Sequence, residues 1–100
     1  MSFASDIKAK TISATSTMVN GRTRIAGVYY TCTGTAAAIT LKTGGSGGTT
    51  VMEIKTPAAA GAYVFAIPDN GILAEDGVHA ALSSAEVLSV TVLFVGGAPA

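Results

Sequence analysis

The residues with the greatest potential for chemistry are a serine in a glycine-rich run and the single histidine. Residues 44–48 read GGSGG, which matches the G-x-S-x-G pattern of a hydrolase nucleophile elbow, and Asp69 or Asp76 and then His79 follow in the hydrolase order. That elbow needs a helix after the turn, whereas the segment after residue 48 alternates like a strand. The four flanking glycines also make the position of Ser46 flexible, whereas a catalytic nucleophile must be held rigidly. The sequence therefore predicts no catalytic residue, and a protein that is not an enzyme.

The chain offers few groups for a metal or a cofactor. His79 and Cys32, the only histidine and cysteine, fall short of the three or four ligands of a zinc site. Residues 69–71 with Glu75 and Asp76 have oxygen atoms for calcium, but their spacing matches no EF-hand loop and turn chemistry accounts for them. No Gly-Lys-Ser/Thr follows the glycine run, as a phosphate-binding loop requires. We expect no metal and no cofactor, an exposed strand histidine, and a small buried cysteine.

The overall composition argues against a charged or lipid partner. The 100 residues are 49% hydrophobic and 12% charged, and six basic residues balance six acidic ones. Strong nucleic-acid binding needs a surplus of positive charge, so no nucleic-acid partner is expected. No stretch approaches the ~20 apolar residues of a membrane-spanning helix, and the first residues lack the pattern of a secretory signal. We expect a soluble protein made in the cytoplasm, with no membrane partner.

Charge is unevenly distributed along the chain. Residues 1–55 carry six basic and two acidic residues, whereas residues 56–100 carry four acidic and no basic ones. If the two segments lie at opposite ends, the basic pole of one copy would attract the acidic pole of the next. The alternative is that these charges lie on solvated turns of an ordinary surface.

Strand signals dominate the rest of the sequence. Runs rich in Thr, Val, Ile, Tyr and Phe alternate with turn residues at the spacing typical of a sandwich or barrel. We predict an all-β fold: one domain over residues 1–100, a single antiparallel β-sandwich of about eight strands, jelly-roll-like. The predicted strands cover residues 7–18, 22–33, 37–43, 50–56, 62–67, 72–73, 78–83 and 87–95. Residues 22–33 are predicted to be central, 1–18 an N-terminal arm or edge strand, and 96–100 a flexible tail.

The last predicted strand is apolar on both faces. Alternation directs Leu88, Val90, Val92 and Phe94 inward, yet the opposite face, which begins at Val87, is also largely apolar. A solvated sheet face does not need such residues, so we expect another surface to cover it. Tyr29 is the best aromatic anchor for such a contact. The candidate interface residues are Ile7, Ile12, Tyr29, Val87, Leu93 and Val95.

Several turns and strand ends carry a resemblance to known proteins. They are the runs GVYY at residues 27–30, ITLK at 39–42, IPDNGIL at 67–73, GVH at 77–79 and VTV at 90–92, together with the glycine-rich turn and Pro57. Over residues 22–95 this pattern resembles small structural proteins of tailed bacteriophages. Such proteins are all-β sandwiches or jelly rolls that serve as capsid decoration (cement), knob or adaptor components, often in symmetric clusters.

The resemblance implies a function but transfers no catalytic residue. It implies a non-enzymatic virion protein that binds the major capsid protein and stabilises the shell, and we expect it to form a homotrimer. Small Ala, Thr and Gly side chains suit this role because they lose little rotamer entropy in an interface. The alternative is a tail, fibre or knob component that binds a receptor or a carbohydrate through its loops. That alternative is disfavoured because the chain contains no Trp and because its loops consist mainly of small residues.

Overall fold

Alternating apolar residues build a single antiparallel sheet of eight strands. The computed structural model describes residues 7–67 and 71–100, and within these ranges it contains no helix. The all-β prediction with about eight antiparallel strands is confirmed, while the sandwich and jelly-roll layering stays a prediction. The strands are β1 Lys8–Ile12, β2 Ser16–Cys32, β3 Ala38–Thr43, β4 Thr49–Lys55, β5 Gly61–Ala66, β6 Ile72–Ala74, β7 Val78–Leu82 and β8 Val87–Pro99.

The long strand β2 organises the sheet. One of its edges pairs with β8, and the other pairs in succession with β7, β6 and β5. The main strand order is β1-β8-β2-β7-β3-β4, with β5 and β6 attached to β2. β2 is thus hydrogen-bonded on both sides, and the predicted central position of residues 22–33 is confirmed.

The β3–β4 hairpin follows the period-two pattern of the sequence. Ile39 and Leu41 on β3 and Ile54 on β4 are buried, as their alternation predicts. The glycine-rich run forms the turn, where Gly44 and Gly45 take φ values of 94° and 82°. Such left-handed values favour glycine, so the glycines serve the turn itself.

The N-terminal segment differs from its predicted limits. Residues 7–18 were expected to form one strand, but β1 ends at Ile12 and Met18 belongs to β2. The break between them is held by Thr15, whose Oγ1 accepts a hydrogen bond of 2.9 Å from the Leu82 N–H. β1 lies at one end of the strand order and pairs with β8.

The segment predicted as a flexible tail, residues 96–100, lies instead in and just after β8. Gly97, with φ of 63°, lies at a bulge where the register with β2 shifts between Asn20 and Thr23, and the pairing resumes at Ala98 and Pro99. Ala100 donates a backbone hydrogen bond of 3.0 Å to the Met18 carbonyl, and Lys10 Nζ donates one of 2.8 Å to the Ala100 carbonyl. Composition alone suggested fraying, but backbone pairing needs no anchoring side chain.

One cluster of buried apolar side chains forms the core. β8 contributes every second residue, Val90, Val92 and Phe94, and β2 contributes Val28 and Tyr30 among others. The largest fully buried side chains are Phe94, Met18, Ile25, Ile39 and Leu41. Because neighbouring residues on these strands point away from the core, the same alternation also builds an external face.

Candidate docking surface

Four neighbouring strands, β1, β8, β2 and β5, present an external face that we call the outer face. Its residues alternate with the core residues of the same strands. They are Ala9 and Thr11 on β1, Ser89, Thr91 and Leu93 on β8, Gly27, Tyr29 and Thr31 on β2, and Ala62, Val64 and Ala66 on β5. None of these residues carries a charge.

Strand register arranges the outer face in rows. In the central row Thr11, Thr91, Tyr29 and Val64 are consecutive cross-strand partners. The Thr11 and Thr91 hydroxyl oxygens lie 2.7 Å apart, within hydrogen-bond distance. The central row therefore combines two threonine hydroxyls that pair with each other, an aromatic ring and a valine side chain.

Two side chains of the central row are exposed although they are large and apolar. Val64 is 68% exposed and Tyr29 is 40% exposed. The flanking rows consist of small or medium side chains, among them Gly27, where an added Cβ would lie 3.2 Å from the Phe65 carbonyl oxygen. The face is therefore uncharged, with its most exposed apolar side chains in the central row, which suits contact with another protein surface.

The structure brings some of the predicted interface residues together. Tyr29 and Leu93 lie on the outer face, and Val95 continues the same side of β8 beside Arg24. Ile7 is exposed immediately before β1. These four residues therefore occupy one side of the sheet, at or next to the outer face.

Two predicted interface residues are wrong. Ile12 is only 8% exposed because it pairs with Val90 and shares the core-facing phase of β1. Val87 is 1% exposed because the pairing of β8 with β2 shifts at this point, so that Leu88 is an extra residue. This bulge reverses the alternation: Leu88, predicted to be inward, is 52% exposed.

Sequence reasoning missed Val64. The alternation of β5 already directed Tyr63 and Phe65 inward, which leaves Val64 outward. A single outward valine is ordinary, however, and only the register places Val64 directly beside Tyr29. The signal for this part of the face is therefore a cross-strand pairing that no local pattern contains.

The serine and histidine considered for catalysis lie in a turn and on a buried strand position, respectively. Ser46 lies in the β3–β4 turn, which continues into a strand and not into the helix of a nucleophile elbow. Its carbonyl accepts a hydrogen bond of 3.1 Å from Lys42 Nζ. His79 is buried, which corrects the predicted exposed histidine, because its strand lies between β2 and β3. Its Nδ1 lies 3.1 Å from Thr17 Oγ1.

The residues considered as metal ligands are dispersed. Cys32 is buried, as expected, and its Sγ contacts the Ala59 carbonyl at 3.6 Å. Asp69 and Asn70 lie outside the described residues. Within residues 7–67 and 71–100, no group of three or more His, Cys, Asp or Glu side chains is arranged to hold a metal ion.

The acidic turn at Glu75 and Asp76 lies next to strands that carry basic residues. Arg22 and Arg24 are exposed on β2, and Glu75 follows β6, which pairs with the same part of β2. The Asp76 N–H donates a hydrogen bond of 2.7 Å to Thr43 Oγ1. The acidic turn thus lies among basic strands, and the interpretation of opposite poles is wrong for this turn.

One buried phenol under the outer face has a shifted pKa. Tyr30 packs against Tyr63 with ring centroids 5.5 Å apart. Burial raises the pKa of Tyr30 above its ordinary value, and nearby Cys32 and Tyr63 add to the increase. A buried neutral phenol is preferred to a phenolate because the charged form loses its hydration.

Inferences about the function of this chain rest on its fold and its outer face. No family model, curated protein or solved structure matches the chain. Among the residues that the structure describes, no helix is long and apolar enough to cross a membrane.

Proposed function

We propose that this chain is a non-enzymatic structural protein of a tailed-phage virion that decorates the major capsid shell and stabilises it. The observation that carries the proposal is the uncharged outer face, with Tyr29 and Val64 exposed at its centre. Aromatic side chains are enriched at protein interfaces, and contiguous uncharged surfaces are often sites of protein–protein contact. The resemblance of residues 22–95 to phage structural proteins is the reason for proposing a phage virion as the location of this contact.

The size of the outer face fits a contact that is repeated many times. Four strands about 4.8 Å apart and three rows about 6.8 Å apart give roughly 400 Å². A stable interface of standard size buries about 800 Å² per partner, so this face by itself supplies about half. In a decorated shell, each copy makes a modest contact, and self-association into the proposed homotrimer adds further area and avidity.

The copy number of the chain in purified particles tests the proposal. Quantitative mass spectrometry of phage virions should find the chain in a fixed ratio to the major capsid protein, at a comparable number of copies. A tail, fibre or knob component would be present at a far lower ratio. That lower ratio, or absence from the particle, would overturn the capsid assignment.

The solution mass tests the oligomer separately. The chain has a mass of 9.9 kDa, so the proposed homotrimer has three times this mass. Sedimentation equilibrium of the isolated protein should yield the trimer mass. A single monomer mass at high protein concentration would contradict the trimer and leave the copy-number test intact.

A further inference from the structure

The structure assigns a second contact site next to the outer face: a groove between β2, β6 and β8 that we propose binds an acidic, partly apolar segment of a partner protein. The groove has a volume of about 230 Å³. Arg22 and Arg24 contribute its cationic groups, and Leu73 and Val95 contribute its apolar walls. The identity of the partner as a virion protein depends on the proposed function, whereas the chemistry of the groove does not.

Strand register fixes the groove. Arg24 on β2 pairs with Leu73 on β6 at one side and with Val95 on β8 at the other. Side chains of such cross-strand partners lie about 5 Å apart at Cβ, so the Arg24 side chain is flanked by two aliphatic groups. Arg22 lies two residues earlier, beside a register irregularity of β2; it is also exposed and lines the same groove. The groove is therefore lined by two arginines and by the aliphatic side chains of Leu73 and Val95.

The arginines of the groove lack an intramolecular carboxylate within the described part of the chain. No described carboxylate oxygen lies within 4.0 Å of either guanidinium, including that of the exposed Glu75 nearby. A guanidinium binds a carboxylate through two parallel hydrogen bonds, which gives both affinity and direction. The groove therefore offers an external carboxylate a site that no carboxylate of residues 7–67 and 71–100 fills.

The apolar walls favour a protein segment over a nucleic acid. A nucleic-acid site needs many cations along a track, and here only two exposed arginines line the groove. Leu73 and Val95 suit aliphatic side chains that alternate with carboxylates along an extended peptide. Val95 also continues the side of β8 that bears Leu93, so the groove is continuous with the outer face. One partner surface can therefore contact both.

A peptide titration followed by NMR of the intact chain tests the groove. The probe is a synthetic peptide of alternating valine and glutamate, blocked at both ends, and its control replaces each glutamate with glutamine. We expect amide shifts at Arg22, Arg24, Leu73 and Val95, and about tenfold tighter binding of the glutamate peptide. Equal affinity for the two peptides would overturn the carboxylate site.

Matched variants make the test specific. The double variant R22Q/R24Q should weaken peptide binding about tenfold, because it removes the charged guanidinium donors and leaves shorter, uncharged polar side chains. The control K42Q/K55Q removes the same charge from the β3–β4 hairpin and should change affinity less than about twofold. Unchanged binding by R22Q/R24Q would overturn the proposal, as would tighter binding of an oligothymidine to the same residues.

The peptide titration tests the groove and the virion copy number tests the proposed function, so either claim can fail without the other. Peptide binding to the groove by a chain that is absent from virions would overturn the proposed function alone. Fixed-ratio copies in virions without peptide binding would overturn the groove alone.

Discussion

The outer face and the β3–β4 hairpin are both external sheet surfaces, but they differ in chemistry. The hairpin carries Lys42, Glu53 and Lys55 among its polar residues, as a strand surface that faces water normally does. The outer face carries no charge and exposes Tyr29 and Val64. The contrast shows that the absence of charge is a local property and not simply a result of the low charge content of the chain. We interpret it as the mark of a contact surface.

The largest expected effect separates the core from the outer face within one strand. Phe94 is fully buried and Leu93 is half-buried on the opposite side of β8. Phe94→Ala should lower the free energy of unfolding by about 3–5 kcal/mol through loss of contacts and formation of a cavity. Leu93→Ala should cost about 1 kcal/mol. Urea denaturation measures both, and similar losses would show that the outer face is needed for folding.

A second prediction compares glycines at the end of β8 and in the hairpin turn. An added Cβ at Gly97, where φ is 63°, would overlap Thr23 Oγ1 and lie 2.7 Å from Val19 Cγ1. Gly97→Ala should therefore cost about 1–3 kcal/mol of stability. Gly47 has open space around its Cβ position and no positive φ, so Gly47→Ala should be nearly neutral. Thermal unfolding of both variants checks this, and a neutral Gly97→Ala would contradict the tight packing of the β8 end.

A third, smaller effect depends on pH. The ordinary pKa of tyrosine is 10.0, and burial raises that of Tyr30. The unfolded chain therefore releases this proton at a lower pH than the folded chain does. The stability that depends on the neutral phenol is fully present below pH 10 and is lost as the pH rises through the folded-state pKa.

Variants assign this pH dependence to the buried ring. Tyr30→Phe should reduce the loss of stability above pH 10, because the phenol whose pKa burial raises is then absent. Tyr29→Phe, on the outer face itself, is the matched control for loss of a phenol hydroxyl group. Denaturation midpoints of the parent and of both variants, measured as the pH rises above 10, check this prediction. If the midpoint of Tyr30→Phe falls with pH as steeply as that of the parent, the burial argument is contradicted.

The smallest effect is expected on the hairpin. Lys55 Nζ lies 3.6 Å from Glu53 Oε2, and both side chains are at least half exposed. Water screens such a pair, so Lys55→Ala should change the free energy of unfolding by less than about 0.5 kcal/mol. Urea denaturation at low and high salt provides the check. A loss of several kcal/mol would mean that the hairpin surface is not simply solvated.

Local alternation was sufficient to predict much of the fold. Ile39, Leu41 and Ile54 follow period two without interruption, so the hairpin and its buried face could be predicted from the sequence. The break between β1 and β2 could not, because no strong turn residue marks it. It depends on the hydrogen bonds of Thr15 with Leu82, which lies far along the chain.

The candidate surface was predictable only in part, for a related reason. Tyr29 and Leu93 follow from alternation, but the bulge at Leu88 depends on how β8 pairs with β2 and reverses the assignment of Val87. The groove likewise requires Leu73, Arg24 and Val95 to be cross-strand partners. Pairings between distant segments leave no local periodic signal.

Occupancy of virions by charged variants is the most direct test of the outer face as a contact surface. Val64→Asp places a charge at the centre of the outer face, and the control Thr50→Asp places one on the exposed surface of the hairpin. We expect both variants to fold with stabilities close to the parent, Val64→Asp to be lost from purified particles, and Thr50→Asp to remain at parental copy number. Undiminished occupancy by folded Val64→Asp would contradict the account.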